Sequence, residues 1–375
     1  MSVGEFHVEQ HLDRNGTGPR WLNLSGLRAQ LAGGAEVVIR THAVTLDAEP
    51  ATLRLFDNRV DLQRRILVIA PHPDDAEIAA FGLYADRQSS IVTVTAGNAG
   101  DMNYRASVSD PAEHYALKGY LRAVDSVTVP WQGGVPPERT ANLGYFDGRL
   151  DAMYLAPDRA VPEVYGANTD VARYRRANLS TLVSSTARSN SWQHLVEDLA
   201  EVLRKINPDI VVLPDPRLDT HLDHEFTSVA VDQAVERWGG HPVFLLYTNH
   251  ADENHYPYGP AGTVVSLPPG EKRVRVHKVF SYPTPDVLQV RKLFALDSMH
   301  DLRLSPDEQT TCGLAGIARR PDYPRVPEDD YFRRAPRANE LFYRYDRAGL
   351  HEAIQEFLAD YKVAQGARPA PAATR

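Results

Sequence analysis

Five consecutive apolar residues, Ile66-Leu-Val-Ile-Ala70, followed at once by Pro71-His-Pro-Asp-Asp75, constrain this chain more than any other stretch. A short apolar run rich in β-branched residues, with no polar alternation, belongs to a strand covered on both faces. Pro71 and Pro73 cannot donate to a central ladder, so the strand ends there. Asp74 and Asp75 open a helix predicted through about Gln88, with Ile78, Ala79, Phe81, Gly82 and Ala85 on its inward face. Acidic side chains suit the positive end of that helix. His72, Asp74, Asp75 and Glu77 therefore fall at the carboxyl end of a buried strand, where open α/β sheets bind ligands.

One aspartate at a helix start is commonly only a cap. Two adjacent aspartates, a histidine three residues before the second and two flanking prolines exceed what a cap needs. His72 and Asp75 can face one point, as a metal requires, and Asp74 then points elsewhere and stays free. Glu77 is read as a first-turn charge favourable to the helix dipole. A second half follows the same plan. Asp209 to Leu213 is another short apolar strand, His221-Leu-Asp-His224 falls in the loop beyond it, and Phe226, Val229, Ala230 and Ala234 form a helical stripe. The alternative is a polar helix start with incidental histidines, but the two halves together favour a metal site.

These segments resemble the LmbE-like, or PIG-L-like, family of zinc-dependent N-deacetylases. That family carries His-Pro-Asp-Asp after its first strand and His-x-Asp-His near its middle. This chain has His72-Pro73-Asp74-Asp75 and His221-Leu222-Asp223-His224, and Gly144-Tyr-Phe-Asp-Gly-Arg-Leu150 is similar to the family's aromatic-x-Asp-Gly-x-Leu segment. The resemblance runs from about Arg65 to about Asn249. By residue type, His72, Asp75 and His224 supply two nitrogens and an oxygen to Zn2+ and leave a position for water. The resemblance assigns the same ligands, with Asp74 as general base. His221, if protonated, would hold the oxyanion and protonate the leaving amine. Asp223 would orient a histidine through its ring N–H.

The resemblance also implies the substrate: an N-acetylated amino sugar, of N-acetylglucosamine or N-acetylgalactosamine type, in a glycoconjugate. Other classes fit the residues as well. One is a metal hydrolase of another amide or an ester; another is a degenerate member that binds glycans without catalysis. Two pocket positions depart from the family. Many members carry Arg-x-x-Glu on the helix after the second strand, whereas Glu113-His-Tyr-Ala-Leu-Lys118 offers no arginine and Lys118 is read as solvated. Several members have a tyrosine where this chain has Asp219. The resemblance further implies that the Ala96–Asp101 loop lies near the metal, with Asn98 or Asp101 lining the pocket. Its glycines also suit a plain tight turn.

The alternation of strand, loop and helix from Ile66 to Arg237 is that of an α/β fold with a Rossmann-like, doubly wound, mostly parallel sheet. Further strands are predicted at Ile91–Thr95, Ser126–Val129, Pro242–Thr248, Thr263–Leu267 and Val274–Phe280. Helices are predicted at Leu195–Ile206, around Val287, Val290, Leu293 and Phe294, and at Leu350–Tyr361. The domain reading has a small β-rich N-terminal extension over 1–60, with strands at 36–46 and 51–56. The deacetylase domain follows over 61–300, then a C-terminal extension packed on the core over 301–364 and a disordered tail over 365–375. Residues 150–190 are read as a tyrosine-bearing insertion over one face of the sheet. With 375 residues the chain can bury a large core. Its net charge of −8 without a basic stripe argues against nucleic acid. A single cysteine, Cys312, fits a reducing compartment. No signal peptide or membrane-length apolar run is visible, so a cytoplasmic location is expected.

Overall fold

The computed structural model describes residues 1–47, 49–184, 186–251, 255–269, 275–302 and 331–367. Seven strands form the central sheet: β1 (Ile66–Ala70), β2 (Ser89–Thr95), β3 (Thr140–Tyr145), β4 (Ile210–Pro214), β5 (Val243–Tyr247), β6 (Val279–Pro283) and β7 (Asn339–Tyr345). Their order across the sheet is β3-β2-β1-β4-β5-β7-β6. The first five are mutually parallel, and β7 runs antiparallel to both its neighbours. The chain is an α/β protein with a doubly wound, mostly parallel sheet.

β1 lies at the centre because all five of its side chains are apolar and at most 1% exposed. Leu67 and Ile69 feed the core on one face, with Val92, Val94, Leu195 and Phe226. Ile66, Val68 and Ala70 feed the core on the other, with Ala80, Phe81 and Tyr84. Each fully buried aliphatic side chain contributes about 1.5–3 kcal/mol relative to exposure, so the strand that leads into the site is firmly held. Strand order reverses between β1 and β4, and ligand crevices open at the carboxyl ends of such a pair.

The principal helices are α1 (Asp75–Tyr84), α2 (Pro111–Thr128), α3 (Leu150–Leu155), α4 (Trp192–Ile206), α5 (Leu222–Trp238), α6 (Asp286–Asp297) and α7 (Arg347–Ala367). α1 ends at Tyr84, short of Gln88, and α7 outruns its predicted 350–361 span. No helix among the described residues is long and apolar enough to cross a membrane.

Several predicted elements differ. Ser126–Val129 forms no strand: α2 continues to Thr128 and passes into a 3-10 turn over Val129–Gly133. Asp110 caps this helix by accepting from Glu113 N, and Ser126 Oγ donates to Ala123 O, so its hydroxyl is satisfied within the helix. The third strand is β3 instead. The segments at 36–46 and 51–56 form no strands; Val38 makes one isolated bridge with Ser2, and among the described N-terminal residues Ser2–Val3 pairs with Phe6–His7. Thr263–Leu267 is irregular, and the strand sought at 274–280 is β6, beginning at Val279. Most of the segment 301–330 and the tail from 368 lie outside the described residues. Residues 365–367 belong to α7.

Candidate metal centre

β1 and β4 end side by side, and the loops beyond them bring both motifs to one point. His72 stands in the turn closed by Pro71 and Pro73, and Asp75 opens α1. There Asp75 Oδ2 accepts the His72 backbone N–H at 2.8 Å, locking the turn. His221 occupies the N-cap position of α5, where its Nδ1 accepts Asp223 N, and His224 follows on the first turn. His72 Nδ1 lies 3.2 Å from Asp75 Oδ2, His224 Nε2 lies 3.0 Å from the same oxygen, and the two nitrogens are 3.2 Å apart. Donor atoms about 2.0–2.2 Å from one tetrahedral ion are about 3.3–3.6 Å from each other; these three lie a few tenths of an ångström closer, near enough for one metal ion to take all of them with a small opening of the trio.

The remaining ring nitrogens are committed elsewhere. His72 Nε2 faces Asp223 Oδ2 and Asp147 Oδ1, both at 3.3 Å. His224 Nδ1 donates to Asp219 Oδ2 at 3.1 Å. Each outer carboxylate holds a proton on the far nitrogen and leaves the near one as a lone-pair donor, the usual arrangement behind metal-bound histidine. Asp219 and Asp223 are themselves fixed. Asp219 Oδ2 also accepts Asn249 N and His250 N, and Asp223 accepts Gly148 N and Leu150 N. Asp75 Oδ1 takes Asn249 Nδ2 at 2.7 Å. Other trios in this cluster also bring donor atoms within 4.8 Å: His72 with His221 and His224, Asp75 with His224 and His250, and His72 with Asp147 and Asp223.

Without an ion, the cluster neutralises its carboxylates with protons. Burial opposes the charge on His224, yet Asp219 and Asp75 raise its pKa to about 10. His72 is likewise raised well above its ordinary value, burial being outweighed by Asp147, Asp223 and Asp75. A divalent cation would take the place of these protons. His221 behaves oppositely. Burial, then the charges of His72, His224 and His250, push it down to about 3. Its N-cap position adds the positive end of α5. His221 is therefore a neutral imidazole at pH 7, and the Asp223 N–H on its Nδ1 leaves the proton on Nε2.

Asp74 is 7% exposed and makes no capping hydrogen bond, although it holds the N-cap position of α1. Its Oδ1 accepts instead from an Arg122 guanidinium nitrogen at 3.1 Å. The other arm of Arg122 reaches Asp301 Oδ2 at 2.7 Å, and Lys118 Nζ stands 3.4 Å from Asp301 Oδ1. Lys118 is 2% exposed, not solvated, and burial lowers its pKa. The arginine sought at Lys118 is present one helical turn later, at Arg122, three residues before Asp125. Gly97 makes room for it: a Cβ there would lie 2.6 Å from Arg122 Nε, at a φ of +66° that favours glycine. The loop of Ala96–Asp101 thus admits a side chain. Asn98 accepts Asp147 N on its Oδ1, and Asp101 is exposed, contributing its backbone carbonyl to Lys118 Nζ.

Residues 67–235 match the family model described as PIG-L, GlcNAc-PI de-N-acetylase. The chain carries a PIG-L domain. All six residues singled out from the two motifs, His72, Asp74, Asp75, His221, Asp223 and His224, lie within this PIG-L span, as do Arg122, Asp147 and Asp219. Asn249, His250 and Asp301 join from beyond it. Among solved structures the chain is similar to the A40926 pseudoaglycone deacetylase Dbv21, at 18% identity over 76% of this chain and 98% of that one, with a TM-score of 0.41. It is similar to the 4-carboxy-2-hydroxymuconate hydratase GalB of Pseudomonas putida, at 13% identity over 76% and 95%, with a TM-score of 0.37. It is also similar to a deacetylase in complex with teicoplanin, at 13% identity over 75% and 98%, with a TM-score of 0.37. No curated protein matches the chain.

The sequence does not single out Asp147, Asp219 or Arg122 for these roles, and it places Asn249 and His250, at the end of the apolar run 242–248, only at the border of the site. Asp147 lay within the quoted Gly144–Leu150 patch, and Asp219 was noted only as a departure from tyrosine. A partial signal existed for Arg122, in its spacing to Asp125.

Proposed function

We propose that this chain is a zinc-dependent hydrolase that removes the N-acetyl group from an N-acetylated amino sugar in a glycoconjugate. The observation that carries this reading is the convergence of His72 Nδ1, Asp75 Oδ2 and His224 Nε2 at 3.0–3.2 Å beside a carboxylate, Asp74, that neither caps its helix nor joins the trio. Two imidazoles and a carboxylate are a donor set suited to zinc at a hydrolytic site. A zinc ion held there would lower the pKa of water towards neutrality and polarise the acetamide carbonyl.

The side chains around the trio divide the remaining work. Asp74 accepts the proton of the attacking water; Arg122 holds it in place. His221, neutral, offers its Nε2–H to the oxygen on which charge develops. The proton taken up by Asp74 then passes to the departing amine. Asp219 and Asp223 keep the two ligand histidines in the required tautomers.

The amino-sugar substrate rests on the PIG-L match, whose description names a de-N-acetylase of an N-acetylglucosamine conjugate. The added segments outside that match, at 1–60 and after 250, support a substrate longer than one sugar, since loops at strand ends build pocket rims. The single cysteine supports a reducing, cytoplasmic setting. The test is a screen of N-acetylhexosamine conjugates for released acetate, using zinc-loaded and chelated protein. Extended conjugates should show higher kcat/KM than free N-acetylglucosamine, because remote contacts supply binding energy used at the reacting centre. No acetate from any conjugate by protein holding about one zinc per chain would overturn the deacetylase reading. Equal kcat/KM across the series would remove the extended substrate.

A further inference from the structure

A cavity of about 60 Å³ is lined in part by Thr248 and Asn249, which follow β5. Its polar lining includes Thr248, Asn249, Lys292, Arg334, Arg337 and Glu340. Two donors on this wall are orphaned: Thr248 Oγ1 and Arg334 Nε are buried and have no hydrogen-bond partner. Buried polar atoms are satisfied in the great majority of cases, and both of these belong to residues that line one cavity.

The charges on the wall point the same way. Arg334 is 6% exposed and Arg337 only 2%. Arg334 uses one nitrogen on the Asn249 carbonyl at 3.1 Å. Arg337 spends its donors on the carbonyls of Thr263, Gly259 and Tyr258 and on the Thr263 hydroxyl. Among the described residues no carboxylate pairs with either arginine. Lys292 and Glu340 neutralise each other at 2.9 Å, and both Glu340 oxygens are further engaged by the backbone N–H groups of Gly82 and Leu83. Among the described residues the wall thus carries two positive charges that no carboxylate meets. Burial, aided by the charge of Arg333, presses the pKa of Arg337 down to about 9, the direction expected of a buried cation without a counter-ion. Water could satisfy the orphan donors but would leave this charge unbalanced, and buried charges are as a rule paired.

We propose that this cavity is a binding site for a small oxyanion, a phosphate or carboxylate group, held by Arg334 Nε–H, the Thr248 hydroxyl and the field of Arg337. The volume has room for about four waters, at about 10–15 Å³ each, or for one such group. The cavity shares Asn249 with the metal centre, where Asn249 Nδ2 donates to Asp75 Oδ1. The oxyanion is either free or the anionic arm of a larger ligand.

The experiment titrates inorganic phosphate, at constant ionic strength, into full-length protein stripped of metal, so that phosphate cannot bind through zinc. Thermal unfolding and calorimetry are the readouts. No turnover is measured, so failure here is distinct from failure of the deacetylase reading. Phosphate should raise the melting temperature saturably, and chloride should not. Arg334→Gln should weaken phosphate by about 10- to 100-fold, the range for hydrogen bonds to charged groups. Thr248→Val, nearly isosteric, should weaken it by about 3- to 10-fold and carries the test if Arg334→Gln does not fold cooperatively. Parallel titrations with acetate and with glycerol phosphate identify the source. Tighter binding of the ester assigns the site to an arm of a larger ligand, and binding of inorganic phosphate or acetate alone assigns it to a free anion. An absence of saturable stabilisation by all three, or affinities unchanged in both variants, would overturn the proposal and leave a water-filled cavity.

Discussion

Asp219→Asn tests whether the carboxylate beneath His224 sets the metal-binding nitrogen. Asp219 Oδ2 accepts from His224 Nδ1 at 3.1 Å, Asn249 N at 2.9 Å and His250 N at 3.2 Å, while Oδ1 accepts His221 N at 3.1 Å. Asparagine has the same shape but one acceptor oxygen. With that oxygen under His224, the amide NH2 opposes the His221 N–H; flipped, it opposes three donors. The better orientation still leaves one buried N–H without an acceptor, costing about 1–3 kcal/mol of stability. It also removes the negative charge that makes His224 Nε2 a strong donor. Loss of such a partner lowers metal affinity by about 10- to 100-fold, or about 1.4–2.7 kcal/mol. Competition for zinc against a chelating dye measures the affinity, with thermal unfolding of the metal-free variant followed in parallel. At saturating zinc, kcat should stay near wild type, because Asp219 is 1% exposed and cannot reach a substrate. A cooperatively folded variant that binds zinc within about twofold of wild type would refute the reasoning, since the predicted loss is about 10-fold or more.

Four further outcomes follow from the same geometry. His72→Ala and His224→Ala should each lose zinc, read by metal analysis, and full occupancy in the double variant would dismiss this ligand set. Asp74→Asn should keep the metal and lose about 10²- to 10⁴-fold in kcat, the usual contribution of general-base catalysis; near-normal turnover would move the base elsewhere. His221→Ala should lower kcat more than zinc affinity, whereas a fall in affinity alone would make His221 a ligand in place of His224. Zinc uptake near neutral pH should release protons, because the metal-free His224, raised to about 10, carries a proton on the nitrogen the ion needs. Affinity should therefore rise with pH up to that value, and a binding enthalpy independent of buffer would contradict it.

The fold was legible where each element carries its own constraint. β1 and β4 are continuous apolar runs that only a doubly covered strand can bury. The Leu195–Ile206 stripe ends at Asn207, which takes the left-handed φ of 48° that closes α4. Errors arose where tertiary contacts decide. Ser126-Val-Thr-Val129 has strand propensity, yet α2 carries it inward as helix, with Val127 1% exposed. On α6 the helix forms as predicted, but its apolar residues do not mark the buried face. Val287 and Phe294 are 66% and 50% exposed, while Gln289 and Lys292 are buried beside Leu293, because Lys292 must reach Glu340. The alternating segments before residue 60 found no sheet edge to join, and alternation alone does not make a strand.

The site divides in the same way. His72 with Asp75 and His221 with His224 are close in sequence, so spacing alone confines each pair to one face or turn. The groups that surround these candidate ligands come from four places, and only Asp219, two residues before His221, is close to a motif in sequence. Asp147 follows β3, Asp219 precedes α5, Asn249 follows β5, and Arg122 comes from α2. Lys118 shows the difficulty most clearly. An isolated lysine on a helix is ordinarily exposed, and nothing within its own turn predicts otherwise. Lys118 and Arg122 lie four residues apart on one face of α2, and both share the carboxylate of Asp301, far along the chain, with Asp74 as the second partner of Arg122. A buried cation is tolerated when a carboxylate meets it, and removing one partner costs far more than the pair contributes. The Asp301–Arg122–Asp74 chain is therefore a single unit. The carboxylate assigned to the water's proton is held in place by a residue that no motif includes.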